Sequence, residues 1–125
     1  MSKILLVDDS PDFLDIFHWS LKRKGYLCET AYYRERIFDK LTKFSPQLII
    51  MDINLPGDDG RYICRDIKEN KVTMHIPVIL CSARHDLLTE HAAFLADDFI
   101  EKPFETSAIL IKIEKLIPSD LGGKL

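Results

Sequence analysis

The sequence predicts an α/β domain: a doubly wound, five-stranded parallel sheet with helices on both faces. Short apolar runs with β-branched residues recur along the chain, and a segment with helical apolar spacing follows each one. The central runs are continuous rather than alternating, as strands buried on both faces require.

The first unit is ILLV, residues 4–7, followed by Phe13, Leu14, Ile16, Phe17 and Leu21 at helical spacing until Gly25 stops the pattern. YLCETA, residues 26–31, alternates as an edge strand does, and Ile37, Phe38, Leu41 and Phe44 then mark a helix ending near Ser45-Pro46. LIIM, residues 48–51, opens a third unit; a turn-rich NLPGDDG follows, then a helix carrying Tyr62, Ile63 and Ile67 and a loop over residues 72–76. PVILC, residues 77–81, opens a fourth, with a helix expected over residues 87–95. DDFIE, residues 97–101, and a helix over residues 107–117 make the fifth.

Composition restricts the function classes. A chain of 125 residues makes one domain, and 46% hydrophobic with 30% charged residues is a soluble, globular balance. The net charge of -3 argues against a nucleic-acid surface. No apolar run approaches the roughly 20 residues of a membrane helix, and Met1-Ser2-Lys3 leads straight into a strand, so a cytoplasmic protein is expected. Cys28, Cys64 and Cys81 form no C-x-x-C pair and sit in apolar contexts, which reads as buried thiols.

Open α/β sheets carry their sites at the carboxyl ends of the strands, near the topological switch point. There the sequence places Asp8 and Asp9 after ILLV, Asp52 after LIIM, Ser82 after PVILC, and Lys102 after DDFIE. If these strands are neighbours, carboxylates, a hydroxyl and an amine meet on one rim, the composition of a phosphate-and-metal site. Two carboxylates about 4 Å apart repel by roughly 4 kcal/mol at an effective dielectric near 20, a liability that a bound cation removes. Few hard oxygen ligands beside a phosphoryl site suit Mg2+; NLPGDDG lacks the ligand spacing of a calcium-binding EF-hand loop. The plain alternative is that Asp8 and Asp9 only cap the following helix, as Ser10-Pro11-Asp12 also can.

LLVDDS, LIIMDINLPGDDG, VILCSA and DDFIEKPF resemble, in order and spacing, the signature segments of response-regulator receiver domains of two-component signalling, over residues 3–117. The resemblance implies the flavodoxin-like receiver fold over residues 1–118, with residues 119–125 a flexible tail or the start of a linker. It implies that Asp52 accepts a phosphoryl group, that Asp8, Asp9, Asp52 and the backbone carbonyl of Asn54 hold Mg2+, and that Ser82 and Lys102 contact phosphoryl oxygens. Phe99 matches an aromatic switch position, with ordinary core packing as the alternative. The partners implied are a sensor histidine kinase or histidine phosphotransfer protein, and a downstream output protein or domain; no direct nucleic-acid or membrane contact is expected, and dimerisation on activation stays open. None of His18, His75, His85 and His91 falls at a strand end near Asp52, so the donor histidine belongs to another protein.

The sequence departs from the family pattern at three places: Leu95 stands where glycine is common, Asp58 stands where an apolar residue is more usual and adds negative charge near the site, and Arg84 lies at a variable position two beyond Ser82. A flavin carrier of the same fold class fits poorly, because DDSPD repels a flavin phosphate. A phosphatase with an aspartate nucleophile lacks its second acid. The more serious rival is a degenerate receiver that docks proteins without being phosphorylated.

Overall fold

A computed structural model describes residues 2–117, so the tail expected over residues 119–125 lies outside the described residues. The five predicted strands are present as β1 (Lys3–Val7), β2 (Leu27–Ala31), β3 (Leu48–Asp52), β6 (Val78–Ser82) and β7 (Asp98–Glu101). They form one sheet in the order β2-β1-β3-β6-β7, parallel throughout. All residues of β3 and β6 are buried, whereas the edge strand β2 buries only Cys28 and Ala31, which is why its sequence is mixed rather than continuously apolar.

Helices α1 (Pro11–Arg23) and α5 (Thr106–Leu116) cover one face, and α2 (Arg34–Lys43) and α3 (Gly60–Glu69) the other. The faces are filled by separate side-chain sets. Phe17, Leu21, Ile109 and Ile113 pack with Ile4, Leu6 and Ile50 on the first. Ile37, Leu41, Ile63 and Ile67 pack with Leu5, Ile49 and Met51 on the second. Successive strand residues serve opposite layers, so one continuous apolar run supplies two cores. Cys28, Cys64 and Cys81 are free and buried, as expected, and burial pushes the Cys28 and Cys64 thiols up to about 12.

Two features differ from the sequence reading. NLPGDDG contains an antiparallel hairpin, β4 (Asn54–Leu55) with β5 (Asp58–Asp59), turning at Gly57 with φ of 67°. And the helix expected over residues 87–95 is broken into α4 (His85–Leu88) and a single 3-10 turn, His91–Phe94. On one continuous helix Leu88 and Phe94, six residues apart, point about 120° away from each other. Here Leu88 is fully buried in the core, while the Phe94 ring meets Tyr62 of α3 edge-on at 5.3 Å, with the Arg61 and Arg65 guanidinium groups 5.2 and 5.3 Å from its centre. Breaking the helix satisfies both residues. The turn ends at Leu95, in the left-handed region with φ of 67°, so the backbone keeps the conformation glycine prefers although the residue is leucine.

Candidate functional site

The strand order reverses between β1 and β3: the chain leaves β1 for β2 on one side and returns to β3 on the other. The crevice at their carboxyl ends is the switch point, and Asp8 and Asp52 stand at its two edges. Asp8, Asp9 and Asp52 each bring a carboxylate oxygen within 4.8 Å of the others; Asp8 and Asp52 are buried and Asp9 is exposed. The Asp8 carboxylate accepts from the Ser10 backbone N–H at 2.9 Å. The helix cap itself is Ser10, whose Oγ accepts from the Phe13 N–H at 3.3 Å, with Pro11 opening the helix. Capping therefore does not account for the acidic pair.

Lys102 follows β7, and its ammonium spans the crevice: Nζ lies 2.5 Å from Asp8 Oδ2 and 3.0 Å from Asp52 Oδ2. The ring of Phe13 in the first turn of α1 sits beneath it, 4.2 Å from centroid to Nζ, a cation-π contact the sequence did not single out because Phe13 also fits the apolar stripe of the helix. Burial lowers the Lys102 pKa, but hydrogen bonds to Asp8 and Asp52 outweigh it and hold the ammonium above its ordinary value. Asp52 is shifted the other way for a carboxylate: burial pushes it up, against hydrogen bonds from Lys102 and the Asn54 N–H, and the Asp8 charge adds to the rise. One ammonium against three carboxylates leaves two negative charges uncompensated. All three carboxylates offer hard oxygens to a common point, a donor set that fits Mg2+.

The remaining predicted residues surround this cluster without all joining it. Asn54 is exposed; its N–H donates to Asp52 Oδ1 at 3.0 Å, and together with Asp9, Asp52, Leu55 and Pro56 it lines an open cleft of about 440 Å³. Ser82 is buried at the end of β6, one residue beyond the Cys81 that pairs with Asp52. Its carbonyl accepts from the Lys102 N–H at 2.8 Å and its Oγ from the Arg84 N–H at 3.0 Å. Phe99, opposite Leu80 in the sheet, is half-buried against the second core, with its ring 4.5 Å from that of His91. Arg84 turns its guanidinium to Asp86, 2.7 Å away.

Two residues that matter here were not foreseen. Gly60 starts α3 with its N–H donating to the Ile53 carbonyl at 2.8 Å, and a Cβ on it would lie 2.3 Å from the Asp52 carbonyl oxygen. Only glycine permits that approach, which folds the hairpin back onto the end of β3. Arg34, the first residue of α2, holds the Asp58 carboxylate at 2.9 Å. The negative charge expected from Asp58 is thus matched by a cation, and hydrogen bonding to Arg34 keeps its carboxyl below the usual range.

Comparison with known proteins bears on the family and the fold. Residues 4–114 match the response regulator receiver domain family. The chain is 34% identical over 124 residues to the transcriptional regulatory protein YxdJ of Bacillus subtilis, covering 98% of this chain and 53% of that protein, so it spans about half the length of this relative. Among solved structures, a response regulator from Chloroflexus aurantiacus superposes with a TM-score of 0.87 at 22% identity, over 94% of this chain and 98% of the other, a likeness of fold. The response regulator TrrA of Thermotoga maritima, solved in complex with Mg2+-BeF, gives 0.84 at 28% identity, over 94% and 100%. With the ordered motifs, the sheet order and a family match covering nearly the whole described fold, the chain belongs to the response regulator receiver domain family.

Proposed function

We propose that Asp52 accepts a phosphoryl group from the phosphohistidine of a sensor histidine kinase or histidine phosphotransfer protein, and that the domain relays this event by changing shape. The observation that supports the reading best is the Lys102 ammonium bridging Asp8 and Asp52 at the switch point, with Asp9 beside them. Asp8, Asp9, Asp52 and the Asn54 carbonyl are the ligands assigned to Mg2+, which when bound offsets the carboxylate charge and that of the phosphoryl oxygens. The Asp52 carboxylate attacks phosphorus in line; the P–N bond breaks, and the imidazole leaves with its electron pair and takes up a proton.

Lys102 moves from its carboxylate pair toward a phosphoryl oxygen, and Ser82 donates its hydroxyl to another. Drawing Ser82 inward shifts the loop after it and gives Phe99 room to turn, which carries the signal to the face of α4, β7 and α5. The domain promotes its own phosphorylation and dephosphorylation but transforms no separate metabolite. It works in the cytoplasm through an output protein or domain, without touching nucleic acid or membrane itself. Among the described residues no helix is long and apolar enough to cross a membrane.

Intact-mass spectrometry after incubation with phosphoramidate or acetyl phosphate, with and without Mg2+, tests this directly. A single Mg2+-dependent phosphoryl adduct, absent from Asp52→Asn, is expected. The same adduct on Asp52→Asn overturns the assignment, and no adduct on the native chain from either a small donor or a phosphorylated partner favours the phosphorylation-independent docking module.

A further inference from the structure

The loop that carries Asn54 is held from outside the site by one arginine. Arg34 Nε and Nη2 grip Asp58 at 2.9 and 3.4 Å, and Nη1 reaches Asp66 on α3. Asp58 lies on β5, paired with Leu55; its neighbour Asp59 pairs with Asn54. The clamp therefore ties the start of α2 to the hairpin and to the helix behind it. That hairpin supplies Asn54, Leu55 and Pro56, one wall of the cleft whose other wall is Asp9 and Asp52. Two further contacts close the same loop: the Gly60 N–H on the Ile53 carbonyl, and the Asn54 N–H on Asp52 Oδ1. Both act within the segment of residues 52–60. The Ile53 N–H ties the base of the segment to β6 through the Cys81 carbonyl at 2.9 Å, and Arg34 anchors its far strand to α2, 24 residues away in sequence.

We infer that Arg34, acting through Asp58, is a positioning residue for the metal side of this site: it presets the hairpin wall so that the Asn54 carbonyl and the Asp52 carboxylate face a cation together. The inference rests on the Mg2+ ligand set proposed above. A planar guanidinium suits the task because its fork fixes the direction of a carboxylate as well as its distance, which an ammonium cannot do. Leu55 on β4 is buried in the second core, but Asp58 and Asp59 on β5 are only partly buried, so that strand depends on polar contacts for its position. Loss of the clamp leaves the ligands in place chemically but costs order on binding, as removal of supporting groups around metal sites does.

For loss of the Arg34 charge, simple charge effects predict the opposite sign, which makes the inference testable. Removing a cation near an acidic site strengthens Mg2+ binding through space; removing a positioning residue weakens it. The experiment is calorimetric titration of the full chain with MgCl2, using the native protein, Arg34→Lys, Arg34→Ala, Asp58→Asn and Arg34→Ala/Asp58→Asn, each checked for folding by circular dichroism. Arg34→Lys keeps the charge and loses the fork, so it isolates geometry even if Arg34→Ala folds poorly. Expected is a rise in Kd of about tenfold, the low end for loss of a supporting group around a metal site, in Arg34→Lys, Arg34→Ala and Asp58→Asn, with the double variant no worse than the singles. Unchanged affinity in Arg34→Lys, or tighter binding in Arg34→Ala, overturns the positioning role while leaving the Mg2+ site intact. A native chain that binds no Mg2+ overturns the ligand assignment and this inference with it.

Discussion

The rim formed by β1, β3 and Lys102 and the segment between β6 and β7 are held in opposite ways. The rim is the end of two central strands, β3 buried throughout and β1 buried from Ile4 onward. Its backbone is fixed by ladders on both sides, and its difficulty is electrostatic, two buried carboxylates sharing one lysine. The β6–β7 segment carries little charge burden and little packing. Its helix has four residues with only Leu88 buried, its 3-10 turn has none buried, and it closes through a left-handed leucine. A site that must hold charge needs a rigid frame, and a segment that must report a change needs a low barrier to moving.

Hydrogen exchange offers the widest contrast. Amides of β1 and β3 should exchange only through global unfolding, while those of residues 85–95 open locally, a difference of at least about a thousandfold in protection. Comparable protection in the two regions would erase the distinction. On the rim, Gly60→Ala forces a methyl group into the Asp52 carbonyl and should lower unfolding free energy by about 2 kcal/mol, measured by denaturant titration. A neutral result would mean that the hairpin yields and the rim is not rigid.

The charge held at the rim has a pH signature. Burial raises the Asp52 carboxyl, so the folded state binds that proton more readily than the unfolded chain. Below the unfolded value of about 4, the group is protonated in both states and contributes no difference. Above the folded value, the ionised form is disfavoured by burial and costs stability. Asp52→Asn should therefore stabilise the protein at neutral pH in EDTA, with the gain fading as pH falls toward 4, read by denaturant titration across that range. A loss of stability on substitution would show that the bond to Lys102 outweighs burial.

The two regions also differ in how far they could be read from sequence. Asp8, Asp52 and Lys102 stand immediately after continuous apolar runs, so locating the strands located the acids and the amine, and the parallel topology then brought them together. Nothing comparable marks Arg34, whose partner Asp58 is fixed only once α2 and the hairpin pack side by side. Gly60 was hidden for a related reason: its requirement is the Asp52 carbonyl oxygen, visible only after the loop closes. The break between Leu88 and Phe94 was unreadable locally, because apolar spacing over residues 87–95 fits one helix and only the position of Tyr62, Arg61 and Arg65 on α3 decides against it.

Leu95 offers the smallest effect and a clean discrimination between those two readings. In a helix interior, alanine is more stable than glycine by about 1 kcal/mol. In the left-handed conformation the order reverses, because a Cβ costs roughly 1–2 kcal/mol there and glycine does not bear it, offset in part by the greater freedom of glycine in the unfolded chain. Leu95 is 46% exposed, so truncating it leaves only a modest cavity, common to both substitutions. Leu95→Gly should therefore be more stable than Leu95→Ala by about 0.5 kcal/mol, read as a difference in denaturant midpoint at unchanged slope. If alanine proves the more stable, residues 87–95 form the continuous helix that apolar spacing suggests, and the segment joins the rim as rigid frame.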